Sequence, residues 1–374
     1  GSCWRTRPAR APAPASPGSW AVEAVPDTRE WNQAMIDSLL QLYFERQEIL
    51  RLWWPEVMID QPTSVRESMV LFWHDHFATG MEKVLFPQSM YIQNRLFRQQ
   101  ALGNFRELTR AVAFDPAMLL WLDGQVNRKG NVNENFAREL LELFTLGVDQ
   151  YTQQDVVMAA RACTGYYTPD AVTSTVYPDW HDIGLKIFLG EWGPFDGHDI
   201  IDIIFEQDET ARFLCRKLYR WFVDEYPAEA LIEDLAQTLR DHDYEVEPVV
   251  RRILLSEHFF DAEYPGSVIT GGVDHYCGLV RSLGMAPMVN LSNPESNQAT
   301  FMRASMYYYG QILFEPPDVS GWPGYRSWVN SFTLPWRKVL DVGLIDAMVL
   351  GYPIHMQANV KGLVLQFRDP NDPY

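Results

Sequence analysis

Basic residues are scarce in this chain of 374 residues, since 31 Lys and Arg side chains stand against 49 Asp and Glu. The formal charge of −18 at pH 7 argues against binding along a nucleic-acid backbone or on an anionic membrane, because both need clustered cations. The sequence also lacks an apolar run of about 18 to 20 residues, the length that a membrane-spanning helix requires. A hydrophobic content of 47% instead indicates a globular protein with a substantial core.

Cysteine is rare as well, and none of the four cysteines stands in a CxxC or CxH spacing. Zinc-ribbon and thioredoxin-like sites are therefore not expected. Cys163 and Cys215 fall within apolar helical patterns, where a free cysteine packs as a small hydrophobe. Cys3 is followed by a stretch rich in Pro and Ala over residues 8–19, which raises the alternative of a lipid-anchored tail.

The common short signatures of catalysis are missing too. The chain contains no GxxxxGK[ST] loop, no GxGxxG after a strand, no GxSxG elbow and no HExxH. Nucleotide hydrolysis, nicotinamide chemistry, α/β-hydrolase catalysis and zincin-type proteolysis therefore receive no support.

Helical periodicity dominates what is present, so we predict a mainly α protein with a multi-helical, bundle-like architecture. Cap pairs such as Asn104 with Glu107, Thr152 with Asp155, and Ser64 with Glu67 mark helix starts. Residues rich in Thr, Val and Tyr between Tyr166 and Leu189 predict one small β-hairpin insertion. The predicted regions are a tail over 1–27, a helical region over 28–165, an insertion over 166–196, a second helical region over 197–350 and a tail over 351–374.

The most conspicuous polar motif is His74-Asp75-His76, in which two imidazoles flank a carboxylate. In a helix, residues two apart point about 200° away from each other, so both rings bind one divalent metal only if the helix ends or bends there. Gly80 predicts such an end shortly afterwards. Both interpretations stay open, a pair of satisfied core histidines or a catalytic or metal-binding pair.

A second polar stretch runs from Asn133 to Glu142. Glu134, Arg138 and Glu142 follow one another at intervals of four, which is typical of an exposed ladder of ion pairs. The alternative is a polar face that lines a cleft, with Glu134 or Glu139 as base or ligand. We predict that Arg138 is buried and pairs with Glu134, with Glu142 or with a carboxylate from another helix.

Two further groups lie downstream. His181 and Lys186 flank the predicted hairpin, and Asp196 and Asp199 suit a helix cap better than catalysis. A loop over residues 316–328, rich in Pro, Gly and Trp, holds Trp322 and Trp328, whose rings could stack on sugars or pin the loop into the core.

Several separated motifs resemble a large bacterial family of uncharacterised proteins, domain of unknown function 1800. They are SMVLFWHDHF from Ser68, NENFARELLELFTLG from Asn133, HDIGLKIFLG from His181 and PPDVSGWPGYRSWVNS from Pro316. The family's motif positions fall on Trp73, His74, His76, Phe77, Asn133, Glu134, Asn135, Ala137, Arg138, Glu139, Leu140, His181, Lys186, Gly190, Gly321, Trp322 and Trp328.

The resemblance implies an exported protein, periplasmic or extracellular, encoded beside a phosphatase- or sulfatase-like protein that would be its partner. It favours one site shared by His74, His76 and the Asn133–Glu139 face. Phe144 departs from the family, because many members have His there, and this puts in doubt any mechanism that needs a histidine from that helix.

Two functional hypotheses follow. In the first, the protein is a hydrolase of an envelope or extracellular polymer, with catalysis by His74, His76, Glu134, Arg138 and Glu139, and with the two histidines as ligands if a divalent metal takes part. Substrate would then be bound by Asn133, Asn135, His181, Lys186, Trp322 and Trp328. In the second hypothesis, the protein is a non-catalytic envelope scaffold that holds a glycan or a protein partner. Convergence of both imidazoles and a carboxylate in a cleft favours the first hypothesis, and rings packed separately among aromatic side chains favour the second.

Overall fold

A computed structural model describes residues 16–27, 29, 32–62, 64–261, 264, 266–283, 291 and 296–349. Cys3, most of the predicted N-terminal tail and the predicted C-terminal tail over 351–374 lie outside the described residues. The chain is mainly α-helical, as predicted. Its N-terminal helices are α1 (Gln33–Asp60), α2 (Arg66–His76), α3 (Met81–Val84), α4 (Pro87–Gln99), α5 (Phe105–Ala113), α6 (Pro116–Trp121), α7 (Asn135–Glu139) and α8 (Gln153–Ala162).

The second predicted helical region, over 197–350, contains seven helices among the described residues. They are α9 (Gly197–Phe205), α10 (Asp208–Phe222), α11 (Glu229–Asp241), α12 (Val246–Leu255), α13 (Gly272–Ser282), α14 (Asn297–Tyr308) and α15 (Thr333–Val349). Among the described helices, none combines the length and the apolar character that crossing a membrane requires.

Side-chain caps fix several helix starts. The Asn104 side chain accepts a hydrogen bond from the Glu107 amide, and Thr152 with Asp155 forms a full capping box, as predicted. Asp196 and Asp199 form a second capping box on α9, which confirms their structural interpretation.

The predicted cap of Ser64 with Glu67 is wrong. Glu67 is buried, where it pairs with Arg98 and accepts a hydrogen bond from the Trp54 indole at 2.9 Å. Because Arg98 satisfies this carboxylate inside the protein, Glu67 is not available to cap its own helix.

The insertion contains two small antiparallel pairs. Strand β1 (Tyr166–Tyr167) pairs with β2 (Thr175–Val176), and β3 (Lys186–Phe188) pairs with β4 (Glu191–Gly193). The second pair turns at Leu189 and Gly190, which have φ of 46° and 89°. The glycine adopts this left-handed conformation without strain.

One cluster of buried hydrophobic residues runs from the N-terminal helices to α15, so the two predicted helical regions share a core. Helix α2 lies at its centre, because every residue from Met69 to His74 is buried. Cys163 and Cys215 are free and buried, as the apolar patterns predicted. The end of α2, where the His-Asp-His motif lies, is therefore enclosed by helices from both halves.

Candidate functional site

The two histidines of the motif point to different surroundings at the end of α2. His74 is buried, and its Nε2 accepts a hydrogen bond from the Phe314 amide at 3.2 Å. Its ring packs against Trp54 and Trp322, with ring centroids 5.4 Å and 5.6 Å away. Burial lowers the pKa of His74 to about 3, so this imidazole stays neutral near pH 7.

His76 lies on the other side of α2 and is buried beside Lys217 of α10. Its Nε2 lies 3.0 Å from the Phe144 carbonyl oxygen, and its Nδ1 lies 3.2 Å from the Lys217 ammonium. A neutral ring with the proton on Nε2 satisfies both contacts, since Nε2 then donates and Nδ1 accepts. Burial, followed by the charge of Lys217, holds the pKa of His76 well below its usual value.

An irregular helix supplies the carbonyl groups for this arrangement. Helix α7 continues as a π-helix over Leu140–Thr145, and the last carbonyls of a helix have no partner within it. The Leu143 carbonyl accepts a hydrogen bond from Lys217 at 3.1 Å, and the Phe144 carbonyl accepts one from His76. The backbone of the π-helix at Phe144 therefore orients His76.

Asp75 is held by the 316–328 loop. Its Oδ1 accepts a hydrogen bond from the Trp322 amide at 2.7 Å. Gly321 has φ of 82°, and a Cβ there would collide with the Asp75 carboxylate and lie 2.5 Å from the Asp75 carbonyl oxygen. This close approach explains why glycine precedes Trp322 in the motif.

These elements enclose a cavity of about 540 Å³ between α2, α10, α13 and the 316–328 loop. Its ionisable walls are formed by Asp75, His76, Lys217 and Asp274, and also by Arg220 and Glu225. Its aromatic walls are formed by Phe72, Trp221, Phe222, Tyr226, Trp322, Tyr325 and Trp328. A volume of several hundred Å³ suits a small molecule or one segment of a polymer.

Besides the pKa of His76, burial shifts the pKa values of Asp75, Asp274 and Lys217 in this cavity. It raises the pKa of Asp75 to about 6, against the opposing effects of the Trp322 amide and of Lys217. It raises the pKa of Asp274 to about 6, and no side chain or amide of the described residues donates a hydrogen bond to that carboxylate. It lowers the pKa of Lys217 to about 8, which Asp75 partly offsets. Acid and base groups that titrate near neutrality in one cavity are typical of a proton-transfer site.

The polar face of α7 is placed elsewhere. None of residues 133–142 is among the described residues that line the cavity, although His76 is. Arg138 pairs with Glu134 at 3.1 Å, which confirms the pairing, but the predicted burial is wrong because 40% of the Arg138 side chain is exposed. Glu142 accepts a hydrogen bond from Tyr151 instead.

The remaining polar residues of α7 have local contacts. Asn133 accepts a hydrogen bond from the Asn135 amide, and the Asn135 side chain donates to the Leu122 carbonyl at 3.4 Å. Glu139 is half-buried, and its pKa is raised by burial and by the neighbouring Glu142. The structure thus does not bring these side chains to the two histidines.

His181 and Lys186 bind their own loop. The Nδ1 of His181 lies 2.9 Å from the Thr164 carbonyl oxygen. Lys186 is buried and donates hydrogen bonds to the carbonyls of Asp182 and Gly184, at 2.6 Å and 3.0 Å. Neither residue lines the cavity, whereas Trp322 and Trp328 both do.

A metal site does not emerge from these positions. Within the part of the chain that the structure describes, no three His, Cys, Asp or Glu side chains are grouped so that they could hold a metal ion. One nitrogen of His74 and both nitrogens of His76 already have hydrogen-bond partners. The predicted divalent metal therefore stays a prediction without a set of ligands.

Three residues of the cavity, Asp75, Lys217 and Asp274, were not among the site residues predicted from the sequence. Asp75 lies inside the His74-Asp75-His76 motif, but from the sequence we assigned the catalytic and metal-binding roles to the two histidines. Lys217 lies in the cationic stretch of α10, where nothing in the sequence distinguishes it from Arg216 or Arg220. Asp274 stands in the first turn of α13, where an acidic residue is ordinarily assigned to the helix dipole.

Comparison with known proteins gives one match. The family model described as "Protein of unknown function (DUF1800)" matches residues 8–364. No curated protein and no solved structure matches the chain. The match covers nearly the whole sequence, in agreement with the resemblance of the separated motifs.

Proposed function

The chain belongs to the DUF1800 family, and we propose that it is a hydrolase that cleaves a sugar-containing polymer by proton transfer in this cavity. The observation that carries the proposal is the convergence of Asp75, Asp274 and Lys217 on one aromatic-walled cavity. Hydrolysis needs one group that takes a proton from water and another that gives a proton to the leaving atom. The pKa values of about 6 for the carboxyl groups and about 8 for the amine suit both tasks at pH 7.

Asp274 is the general base in this proposal. Its carboxylate faces the cavity, and burial is the sole cause that raises its pKa. A carboxylate without a donor among the described residues has free lone pairs for a water molecule. With a pKa of about 6 it is mostly ionised at pH 7 and more basic than an ordinary aspartate.

Lys217 is the general acid, and two neighbours position it. Its ammonium group donates to the Leu143 carbonyl and to Nδ1 of His76, which leaves its third proton for the leaving atom of the substrate. Burial lowers the pKa of Lys217 to about 8, and the charge of Asp75 partly offsets this effect, so Lys217 is protonated at pH 7. His76 and Asp75 are thus positioning residues, and we assign no catalytic role to His74, Glu134, Arg138 or Glu139.

The aromatic walls support a sugar as the substrate unit. Trp322 and Trp328 belong to the 316–328 loop, and they meet Trp221, Tyr226 and Tyr325 around the same cavity. Flat rings pack against the apolar faces of sugars, while nearby carboxyl and hydroxyl groups bind the sugar hydroxyls. An envelope or extracellular polysaccharide therefore fits the chemistry of these walls.

Export and a partner form a separate part of the proposal. Their support is the family resemblance, which implies a periplasmic or extracellular protein and a phosphatase- or sulfatase-like partner. Cell fractionation of the native producer tests the location, and co-purification with the product of the adjacent gene tests the partner. Recovery in the cytosol alone would contradict this part without affecting the proposed chemistry.

The test is an activity screen with a matched pair of lysine variants. Purified protein is incubated with a panel of soluble polysaccharides and peptidoglycan, and the release of reducing ends is measured. We expect wild-type protein to release reducing ends from at least one polymer, and Lys217→Met to lose about 100-fold or more in rate, the usual contribution of a general acid. Lys83→Met, at an exposed lysine paired with Asp123, keeps the wild-type rate.

A second candidate function, glycan binding without catalysis, has its own support. Both imidazoles pack separately among aromatic rings, with His76 against Phe72 and Trp73, the arrangement that favours a scaffold. Wild-type protein that binds a polysaccharide without releasing reducing ends, and that binds equally well as Lys217→Met, would favour this function over hydrolysis.

A further inference from the structure

A second cavity adjoins the first across the 316–328 loop. It has a volume of about 350 Å³, and Trp322, Pro323 and Trp328 line both cavities. The two tryptophans therefore belong to the lining of both cavities.

The outer side of the second cavity is aromatic and open to solvent. Tyr307 of α14 is 56% exposed and Phe332 is 47% exposed, and both line the cavity. Their ring centroids lie 6.4 Å apart, with the planes at 88° to each other. Large aromatic side chains at the rim of a cavity, where water covers them in the free protein, indicate a surface that a ligand covers.

The charged residues of the second cavity limit the chemical class of ligand that it can bind. Glu315 is the one charged residue among the described residues that line it, and its carboxylate pairs with Arg51. Asn330 accepts hydrogen bonds from the Phe332 and Thr333 amides, so its side-chain oxygen is already engaged. Phosphorylated or acidic ligands need a cation that this lining does not provide, whereas an uncharged sugar unit needs flat apolar faces.

We infer that the second cavity is an additional subsite, which binds an uncharged sugar unit further along the polymer whose scissile bond lies in the first cavity. The inference rests on the proposed function for its substrate class. It assigns a ligand-binding role to Tyr307 and Phe332, which take no part in the proposed proton transfer. The affinity for an oligosaccharide should then rise with length once the chain reaches across Trp322 and Trp328.

The experiment measures dissociation constants for labelled oligosaccharides of increasing length, from cello-, chito- and malto-series, with three proteins. These are the wild type, the double variant Tyr307→Ala with Phe332→Ala, and Trp192→Ala. Trp192 is the matched control, because this tryptophan is 73% exposed on β4 and lines neither cavity. Thermal melting curves of all three proteins check that each is folded.

For wild type and Trp192→Ala we expect an increase in affinity of about tenfold, close to 1.4 kcal/mol, between short and long members of one series. The double variant should bind the shortest members as wild type does and lack this increase. An equal loss at all lengths, or no loss, would overturn the subsite.

Different experimental results would contradict the subsite and the proposed hydrolysis. A length-dependent affinity that the double variant retains contradicts the subsite alone, and the lysine variants still report on hydrolysis. Length-dependent binding without any release of reducing ends contradicts hydrolysis alone. A wild-type protein that binds no member of any series contradicts both.

Discussion

Replacing Asp274 with asparagine should make the protein more stable at pH 7 while it removes the proposed base. Burial raises the pKa of Asp274 from 3.8 to about 6, so the folded state binds a proton more tightly than the unfolded state. A raised pKa of an acid contributes stability below pH 3.8, and that contribution is lost as the pH rises through about 6. At pH 7 the wild type therefore carries an ionised, desolvated carboxylate that the amide does not.

The magnitude follows from the shift. Two pKa units correspond to about 3 kcal/mol as an upper limit. The Asp274 side chain keeps some contact with water in the cavity, and solvent screening reduces the gain to about 1 to 2 kcal/mol. An asparagine of the same shape fills the same space, so no packing is lost.

The assay is urea unfolding of wild type and Asp274→Asn at pH 7 and near pH 4. We expect a higher midpoint for the variant at pH 7 with an unchanged slope, which reports stability rather than compactness. Near pH 4 the folded wild type is already protonated, so the two midpoints should nearly coincide. Asp179→Asn, at an exposed carboxylate, is the control and should leave the midpoint unchanged at both values.

A variant that is no more stable than wild type at pH 7 would show that burial does not destabilise the ionised Asp274. It would mean that water satisfies the ionised Asp274 carboxylate as well in the folded state as in the unfolded state. A lower midpoint at both pH values would instead assign the residue a role in packing.

Three further outcomes are expected. For hydrolysis, kcat/KM should rise through about pH 6 as Asp274 ionises and fall through about pH 8 as Lys217 loses its proton, and a flat pH profile would contradict both roles. Gly321→Ala should lower stability by roughly 2 to 4 kcal/mol in a denaturant titration, because φ is 82° and a methyl group would collide with Asp75; an unchanged midpoint would show that the loop moves freely. Arg138→Ala should lose less than about 1 kcal/mol, since the ion pair is exposed, and a loss of several kcal/mol would restore the buried interpretation.

Local features of the sequence predicted the helices well. Asn104 and Thr152 cap the helices that they were expected to cap, because a side-chain cap depends on residues only a few positions away. The insertion was predicted as one hairpin and contains two small pairs. Strands of two or three residues are too short for an alternating pattern to separate them.

The site was harder to predict, because its members meet through tertiary packing. His74 and His76 have different partners, as helical geometry alone indicates, and not the one shared site that the resemblance favoured. The partnership of His76 with Lys217 joins residues 141 positions apart, and no local pattern indicates it. The spacing of Glu134 and Arg138 predicts that they pair, but it does not predict whether the pair is buried or exposed.

The same distinction holds for the 316–328 loop. Its tryptophans were expected either to stack on a ligand or to pin the loop, and Trp322 does pack against His74 at the core. No local pattern in the sequence indicates that Trp322 and Trp328 line two cavities. The sequence motif thus indicated a loop that lines two cavities, but it did not indicate the second cavity.

The most direct test of the central claim is the ratio of kcat/KM between wild type and Asp274→Asn at pH 7, on a polysaccharide that the wild type cleaves. We expect a fall of about 100-fold or more in a variant that is folded and at least as stable as wild type. A ratio near one, in the same folded variant, would contradict the assignment of this cavity as the hydrolytic site.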